Sequence, residues 1–284
     1  MTLLYAILGV VFAPFAGILI AGTDRILTAK FQSRTGPPLL QPLYDIAKLW
    51  GKTPMIAHRF QPMCVYIYLA AAMVSVGLFF AQSDLLLIFF VQAVGAVFLV
   101  IGAFLVPSPF SQAGANRELI QILTYEPLII IVLAGIHLYT GSFKISAIYA
   151  MDKPLLINLP LLFIVFGYAL TIKLRKSPFD ISASHHAHQE LVRGVLTEYS
   201  GRMLALIEIA HLYETVLILG LCSLFWTTSI LGMVVLLALT YLAEIIVDNI
   251  SARMSFRWML KSVWTTGIVL SAINLIWLYS GGRF

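Results

Sequence analysis

Eight long apolar runs, near Leu3–Gly22, Val65–Gln82, Leu85–Val106, Leu119–Tyr139, Leu155–Ile172, Met203–Thr227, Ile230–Val247 and Ser262–Tyr279, dictate what this chain can become. Each approaches the roughly 20 helical residues that cross a hydrocarbon layer about 30 Å thick. Backbone N–H and C=O groups find no water in such a layer, so only helices and closed barrels span it. The runs are continuously apolar rather than alternating, and about twice the length of a barrel strand, so they predict helices. The expected fold class is all-α: a polytopic membrane protein with eight transmembrane helices. Composition agrees, with 60% of the 284 residues hydrophobic, 11% charged and a mean hydropathy of +0.94, against roughly 25% charged in a soluble domain. The first run follows no basic residue and leads into Gly22-Thr-Asp-Arg, so it is expected to stay as a helix rather than serve as a signal peptide.

Lysine and arginine in alternate loops set the orientation. Arg25, Lys30, Arg34, Lys48, Lys52, Arg59, Arg117, Lys173, Arg175, Lys176, Arg193, Arg202, Arg253, Arg257 and Lys261 fall on one side, and Lys144, Lys153 and Arg283 on the other. The positive-inside rule then places the large loops in the cytoplasm and both termini outside the cell (inner) membrane. The net charge of +5 thus belongs to topology, and no basic stripe interleaved with aromatics points to nucleic acid. Only Cys64 and Cys222 are present, each in apolar surroundings. An iron–sulfur cluster takes four ligands and a Cys-x-x-Cys pattern is missing. No redox centre, metal or cofactor is therefore expected in this chain, and no catalytic residue.

Two regions are neither spans nor simple turns. In Asp24–Gln61, a Gly-Pro-Pro break precedes Leu43, Ile46, Leu49 and Trp50 at helical spacing, with Asp45, Lys48 and Lys52 opposite. That pattern predicts an amphipathic helix in the inward interface with its basic face toward water. The second region, Ser177–Gly201, gathers Asp180, His185, His186, His188, Glu190, Arg193 and Glu198, and Gln189–Ser200 is expected to form a short helix. Thr140–Lys153 carries turn and capping residues and no identifiable chemistry. With no repeat or soluble-domain boundary, residues 1–284 are read as a single integral membrane domain.

Carboxylates inside spans cost several kcal/mol unless paired or hydrated, so they mark function. Glu118 and Glu126 lie eight positions apart, roughly 80° around a helix, with Gln121 and Tyr125 nearby and Pro127 freeing a backbone carbonyl. Glu208, His211 and Glu214 form a ladder at i,i+3 spacing. Glu244 and Asp248 follow at i,i+4, and either join this ion pathway or neutralise Arg253 or Arg257. The histidines suit proton relay or partner docking, since imidazole titrates near pH 6.5; a metal site would need three or four converging ligands.

The run Gln32-x-Arg34-x-Gly36-Pro37 with Gln41-Pro42-x-x-Asp45-x-x-Lys48, then Pro178-Phe179-Asp180, Glu190-Leu191-Val192 and Thr197-Glu198-Tyr199-Ser200-Gly201, resembles the complex I subunit 1 (H) family over essentially the whole chain. The short length, Arg117-Glu118-Leu-Ile and the His-His-Ala-His insertion before Gln189-Glu190 resemble most the membrane subunit of Ech-type group 4 energy-converting [NiFe] hydrogenases. The resemblance implies a subunit that anchors a hydrophilic arm and couples ferredoxin-driven electron transfer to H⁺ or Na⁺ movement. It implies as partners hydrophilic hydrogenase large and small subunits and an iron–sulfur subunit, which carry the [NiFe] and iron–sulfur clusters, and an antiporter-like membrane subunit beside the lipid bilayer. On it, Glu118, Glu126, Asp180, Glu190, Glu198, Glu208, His211, Glu214, Glu244 and Asp248 are candidates for the ion pathway. His185, His186, His188, Arg193 and Tyr199 are candidates for the relay or docking loop. Arg25, Arg34, Asp45 and Lys48 are candidates for arm docking, and the two arginines can also hold lipid headgroups. The alternatives are a quinone-binding subunit 1/H of a complex I-type dehydrogenase and, from another class, a stand-alone secondary transporter.

Overall fold

A computed structural model describes residues 2–179 and 194–280. The described residues form helices α1 (Thr2–Phe31), α2 (Gln41–Trp50), α3 (Gln61–Phe80), α4 (Leu85–Phe104), α5 (Pro109–Thr140), α6 (Ile145–Tyr149), α7 (Leu155–Asn158), α8 (Pro160–Lys173), α9 (Gly201–Ser223), α10 (Ile230–Ile250) and α11 (Phe256–Tyr279). Seven of them are long and apolar enough to cross a membrane, with α8 as a shorter apolar helix. The chain is an all-α polytopic membrane protein.

The fifth apolar run is not one helix. Pro160 cannot continue the ladder of α7 because it has no N–H, and Leu159 takes φ −125°, ψ 45° between the two pieces. The 14 residues of α8 rise about 21 Å, less than the layer needs. Its N-terminus is instead capped inside the bundle. Asn274 of α11 accepts from Leu161 N and Leu162 N, both at 3.0 Å, and donates to Asn158 O at 3.1 Å. A broken helix is tolerable at depth only when its freed backbone groups are met in this way.

Three elements outrun their apolar cores at the end that carries most of the basic residues. Helix α1 continues past Gly22 to Phe31, α5 starts at Pro109, and α11 starts at Phe256. Asp24, Arg25, Arg117, Glu118, Arg257 and Lys261 are therefore helical. Helix α2 starts at Gln41, with Pro42 in its first turn, where a missing N–H costs nothing. It packs on α9 and α1. Close backbone approach is arranged with glycine: a Cβ on Gly17 would stand 2.9 Å from the Leu212 carbonyl oxygen of α9.

Cross-links show that the charged segments share one end. Gln32 Nε2 donates to Asn249 Oδ1 (2.9 Å), Met55 N to Ser200 Oγ (2.8 Å), Gln61 Nε2 to Glu198 O (3.2 Å) and Met254 N to Pro178 O (2.7 Å). At the opposite end Leu85 N donates to Phe143 O and Ile145 N to Ser83 O, while the Asp84 carboxylate caps α4 through Leu86 N and Leu87 N. Of the expected Gln189–Ser200 helix, the described part is a 3-10 turn at Gly194–Leu196.

Candidate functional site

The Lys173-Leu-Arg-Lys176 run ends α8 and organises the interior. Arg175 N donates to Ile172 O (3.0 Å) and Lys176 N to Thr171 O (3.1 Å), the paired bonds of a Schellman stop. That stop requires a left-handed residue, and Arg175 supplies it with φ 55°. The turn aims the three basic side chains at three different acidic partners.

Lys173 Nζ lies 3.4 Å from Glu214 Oε1 on α9 and 5.0 Å from the centre of the Tyr125 ring on α5. Gln92 Nε2 of α4 donates to the same Glu214 oxygen. Arg175 stands 3.7 Å from Glu118 Oε1 on α5. Between these pairs lie two cavities. The larger, about 40 Å³, is lined by Gln92, Tyr125, Glu126, Lys173 and Glu214 along with apolar side chains. The smaller, about 10 Å³, is lined by Tyr68, Glu118, Gln121, Tyr125, Lys173, Arg175 and Glu214. A water needs about 10–15 Å³, so the larger cavity has room for more than one. Glu126 Oε1 and Gln92 Oε1 are buried with no protein partner, and buried polar atoms of this kind are the ones that ordered water serves. Tyr125, Lys173 and Glu214 line both cavities. Toward the N-terminus of α9 the ladder continues: His211 Nδ1 is 3.9 Å from Glu208 Oε2, and its ring meets Tyr68 edge-on at 5.8 Å.

Glu118, Glu126, Glu208, His211 and Glu214 are thus brought together. Glu244 and Asp248 are not part of this group and do not neutralise Arg253 or Arg257. Thr171 Oγ1 is 3.0 Å from Glu244 Oε1, and Ser177 N donates to Asp248 Oδ1 at 2.8 Å. Nearby, Lys176 Nζ pairs with Asp24 of α1 at 3.1 Å and covers the Tyr241 ring at 4.7 Å. The difference arises because Arg253 and Arg257 follow the end of α10, whereas the end of α8 reaches into the bundle.

Tyr199 is not at a docking surface. It is buried, and a Cβ on Gly102 would fall 2.2 Å from its hydroxyl, so the ring tip sits against α4. Burial pushes its phenol above the ordinary range. Glu198 beside it is half-buried. Arg25 and Asp45 meet each other at 2.7 Å, clamping α2 to α1. Burial works against the Asp45 charge, but hydrogen bonds from Arg25 and Gln41 outweigh it and hold the carboxyl below the ordinary aspartate range. Arg34 and Lys48 are exposed on that end. Asp180, His185, His186, His188, Glu190 and Arg193 lie outside the described residues.

Asp24, Tyr68, Gln92, Lys173, Arg175 and Lys176 are the site residues that the sequence did not single out. The three basic residues had counted only toward topology. Their signal was a cluster of three cations within four residues directly after an apolar run.

Sequence comparison bears on this arrangement of short helix, broken span and buried ion pairs. The sequence model of the NADH dehydrogenase family matches residues 3–279. The chain belongs to that family. Hydrogenase-4 component C of Escherichia coli (strain K12) is 33% identical over 66% of this chain and 64% of its own length. Formate hydrogenlyase subunit 4 of the same organism is 30% identical over 71% and 70%. The H subunit of NADH-quinone oxidoreductase from Dehalococcoides mccartyi (strain CBDB1) is 27% identical over 96% and 87%. In fold, the chain superposes with a TM-score of 0.86 on a chain of the membrane-bound sulfane sulfur reductase, an archaeal respiratory membrane complex. That likeness covers 97% of this chain and 98% of the other at 22% identity. The chain is a membrane subunit of the H/1 kind found in complex I-like and hydrogenase-type complexes.

Proposed function

We propose that this chain is the membrane-anchoring, ion-coupling subunit of a ferredoxin-dependent energy-converting [NiFe] hydrogenase, linking electron transfer in a hydrophilic arm to H⁺ or Na⁺ translocation. The observation that carries the reading is the part-buried string from Glu208 and His211 through Glu214, Lys173 and Tyr125 to Glu126, opening on a cavity with room for water. Among the described residues, Glu118, Glu126 and Glu214 lie beside Lys173 and Arg175 there, and carboxyl groups at this depth are the kind that carry protons through membrane bundles. The hydrogenase-type relatives support the choice of redox partner. Hydrophilic large, small and iron–sulfur subunits would seat on the inward end, where Arg34, Lys48 and the residues around Glu198 are gathered, with both termini on the opposite side.

The experiment is to purify the complex through a tag on this chain and reconstitute it in vesicles. Ferredoxin-linked H₂ evolution should be accompanied by ion uptake. Glu126→Gln should keep H₂ evolution while lowering ion uptake per electron by tenfold or more. A purified chain without nickel–iron and iron–sulfur partners overturns the reading. The quinone-reducing alternative is favoured by the near-full coverage of the quinone oxidoreductase relative. Quinone reduction by the purified complex would decide for it.

A further inference from the structure

We infer that Glu244 is a second proton-holding site, separate from the cavity around Glu126 and governed by Lys176 at the end of α8. Its role in ion coupling rests on the function proposed above; its protonation stands on the geometry alone.

The first observation is a hydrogen count. Thr171 Oγ1 lies 2.8 Å from Gly167 O and 3.0 Å from Glu244 Oε1. A hydroxyl has one hydrogen and the Gly167 carbonyl has none. Both short contacts are satisfied together when Thr171 donates to Gly167 O and Glu244 carries a proton that it donates to Thr171. An ionised Glu244 would compete with the helix back-bond for the single hydroxyl hydrogen.

The second observation is the other carboxyl oxygen. Glu244 is 7% exposed, and its Oε2 is buried without a partner. A neutral carbonyl oxygen bears that situation at far lower cost than an ionised one. The third is the local charge. The groups around Glu244 are Thr171 and Lys176 at the end of α8, Tyr241 and Asp248 on its own helix, Asp24 of α1 and the Cys222 thiol of α9. Among the described residues, Asp24 and Asp248 outnumber the one cation beside them, Lys176.

Lys176 supplies the control. Its ammonium, on a residue 4% exposed, is paired with Asp24, and its backbone N–H is tied to Thr171 O by the α8 stop. The ammonium therefore pivots next to the Glu244 pocket. The next residues are held by α10 and the segment after it, through Ser177 N to Asp248 and Met254 N to Pro178 O. A shift of the α8 stop that draws Lys176 from Asp24 toward Glu244 favours the ionised carboxyl. The proton then passes to Asp248, one turn nearer the inward end, and on to water; retreat of Lys176 reloads Glu244.

The test is infrared titration of the purified complex in H₂O and D₂O. A carboxylic-acid C=O band that persists above the pH at which exposed carboxyl groups ionise is expected. It should be lost in Glu244→Gln and shifted in frequency in Thr171→Val, which removes the acceptor and keeps the volume. Lys176→Met should move the disappearance of the band to higher pH by at least one unit. A spectrum with no such band, or one unchanged in both Glu244→Gln and Thr171→Val, overturns the assignment. A band indifferent to Lys176→Met overturns the control. These outcomes are read without ion transport, so they remain distinct from failure of the proposed function, which the Glu126→Gln uptake measurement reports.

Discussion

Replacing Lys173 by Met tests the interior charge pairing most directly. The ammonium is 3.4 Å from Glu214, and the two side chains are 12% and 13% exposed. At an effective dielectric near 20, unit charges at that separation attract by about 5 kcal/mol. Desolvation of both groups offsets much of this, so the pair adds little net stability, but removing one member strands the other at a cost of about 3–5 kcal/mol. The other donors to that carboxyl, the Gln92 amide and the Tyr68 hydroxyl, are neutral and do not replace the cation. Lys173→Met should therefore lower the thermal transition of the purified complex by on the order of 10 °C.

The second variant makes the argument refutable. Lys173→Met with Glu214→Gln leaves no charge stranded, and the two near-isosteric side chains fill the same space. The double variant should be more stable than Lys173→Met alone, with a coupling of about 2–3 kcal/mol. Acidification should also narrow the gap between Lys173→Met and the parent, because a protonated Glu214 needs no cation. If the double variant is as damaged as the sum of its singles, Lys173 and Glu214 do not function as a pair.

Two further outcomes follow from packing and from the α1–α2 clamp. A Cβ on Gly114 would stand 2.2 Å from Val195 N and 2.3 Å from the Gly194 carbonyl carbon, so Gly114→Ala should force the 194–196 turn away. That costs about 1–3 kcal/mol, and faster proteolysis of the adjoining loop would report it. Asp45→Asn should loosen α2 by no more than about 1 kcal/mol, because the Arg25–Asp45 pair is partly exposed, and salt should shrink the effect. Since the folded carboxyl is held below the ordinary value, its contribution is present at neutral pH and lost only as pH falls below the ordinary aspartate value of 3.8 toward the lowered folded value; hydrogen exchange of α2 at about pH 7 and about pH 3 would show it.

The existence of the helices was legible because continuous apolar runs of span length have few other solutions in a bilayer. Their ends were not. Asp24 and Arg25 look like loop residues, yet they extend α1 because Lys176 and Asp45 meet their charges. Leu155–Ile172 reads as one span, since hydropathy does not register that Asn274, distant in sequence, caps the break at Pro160. In the site, carboxyl groups set in oil announced themselves, and Glu126 does line a cavity, one that sets Gln92, Lys173 and Glu214 among mostly apolar side chains. The cations that answer them were hidden, because basic residues after a span carry a topological meaning that is equally correct. Tyr199 was misplaced for a related reason: a polar loop predicts exposure, and only the hollow at Gly102 reveals where the ring goes.

The same double meaning explains an otherwise costly choice at the end of α8. The left-handed position of the stop is one where glycine is free of strain, whereas a residue with a Cβ pays about 1 kcal/mol. Arg175 occupies it at φ 55°. Its side chain pairs with Glu118, a contact that glycine cannot make. If backbone relief governed the position, Arg175→Gly would stabilise the complex by about 1 kcal/mol. If the buried pair governs it, Arg175→Gly should destabilise by about 2–4 kcal/mol, the stranding cost less the relief. Changing Glu118 to Gln first should shrink the cost of Arg175→Gly, because the paired carboxylate is gone and Arg175 keeps only its longer-range attraction to Glu214 and Glu208. A smaller cost in that background places the burden on the ion pair. Equal effects of Arg175→Gly in both backgrounds would mean that the three basic residues do not divide among three acidic partners.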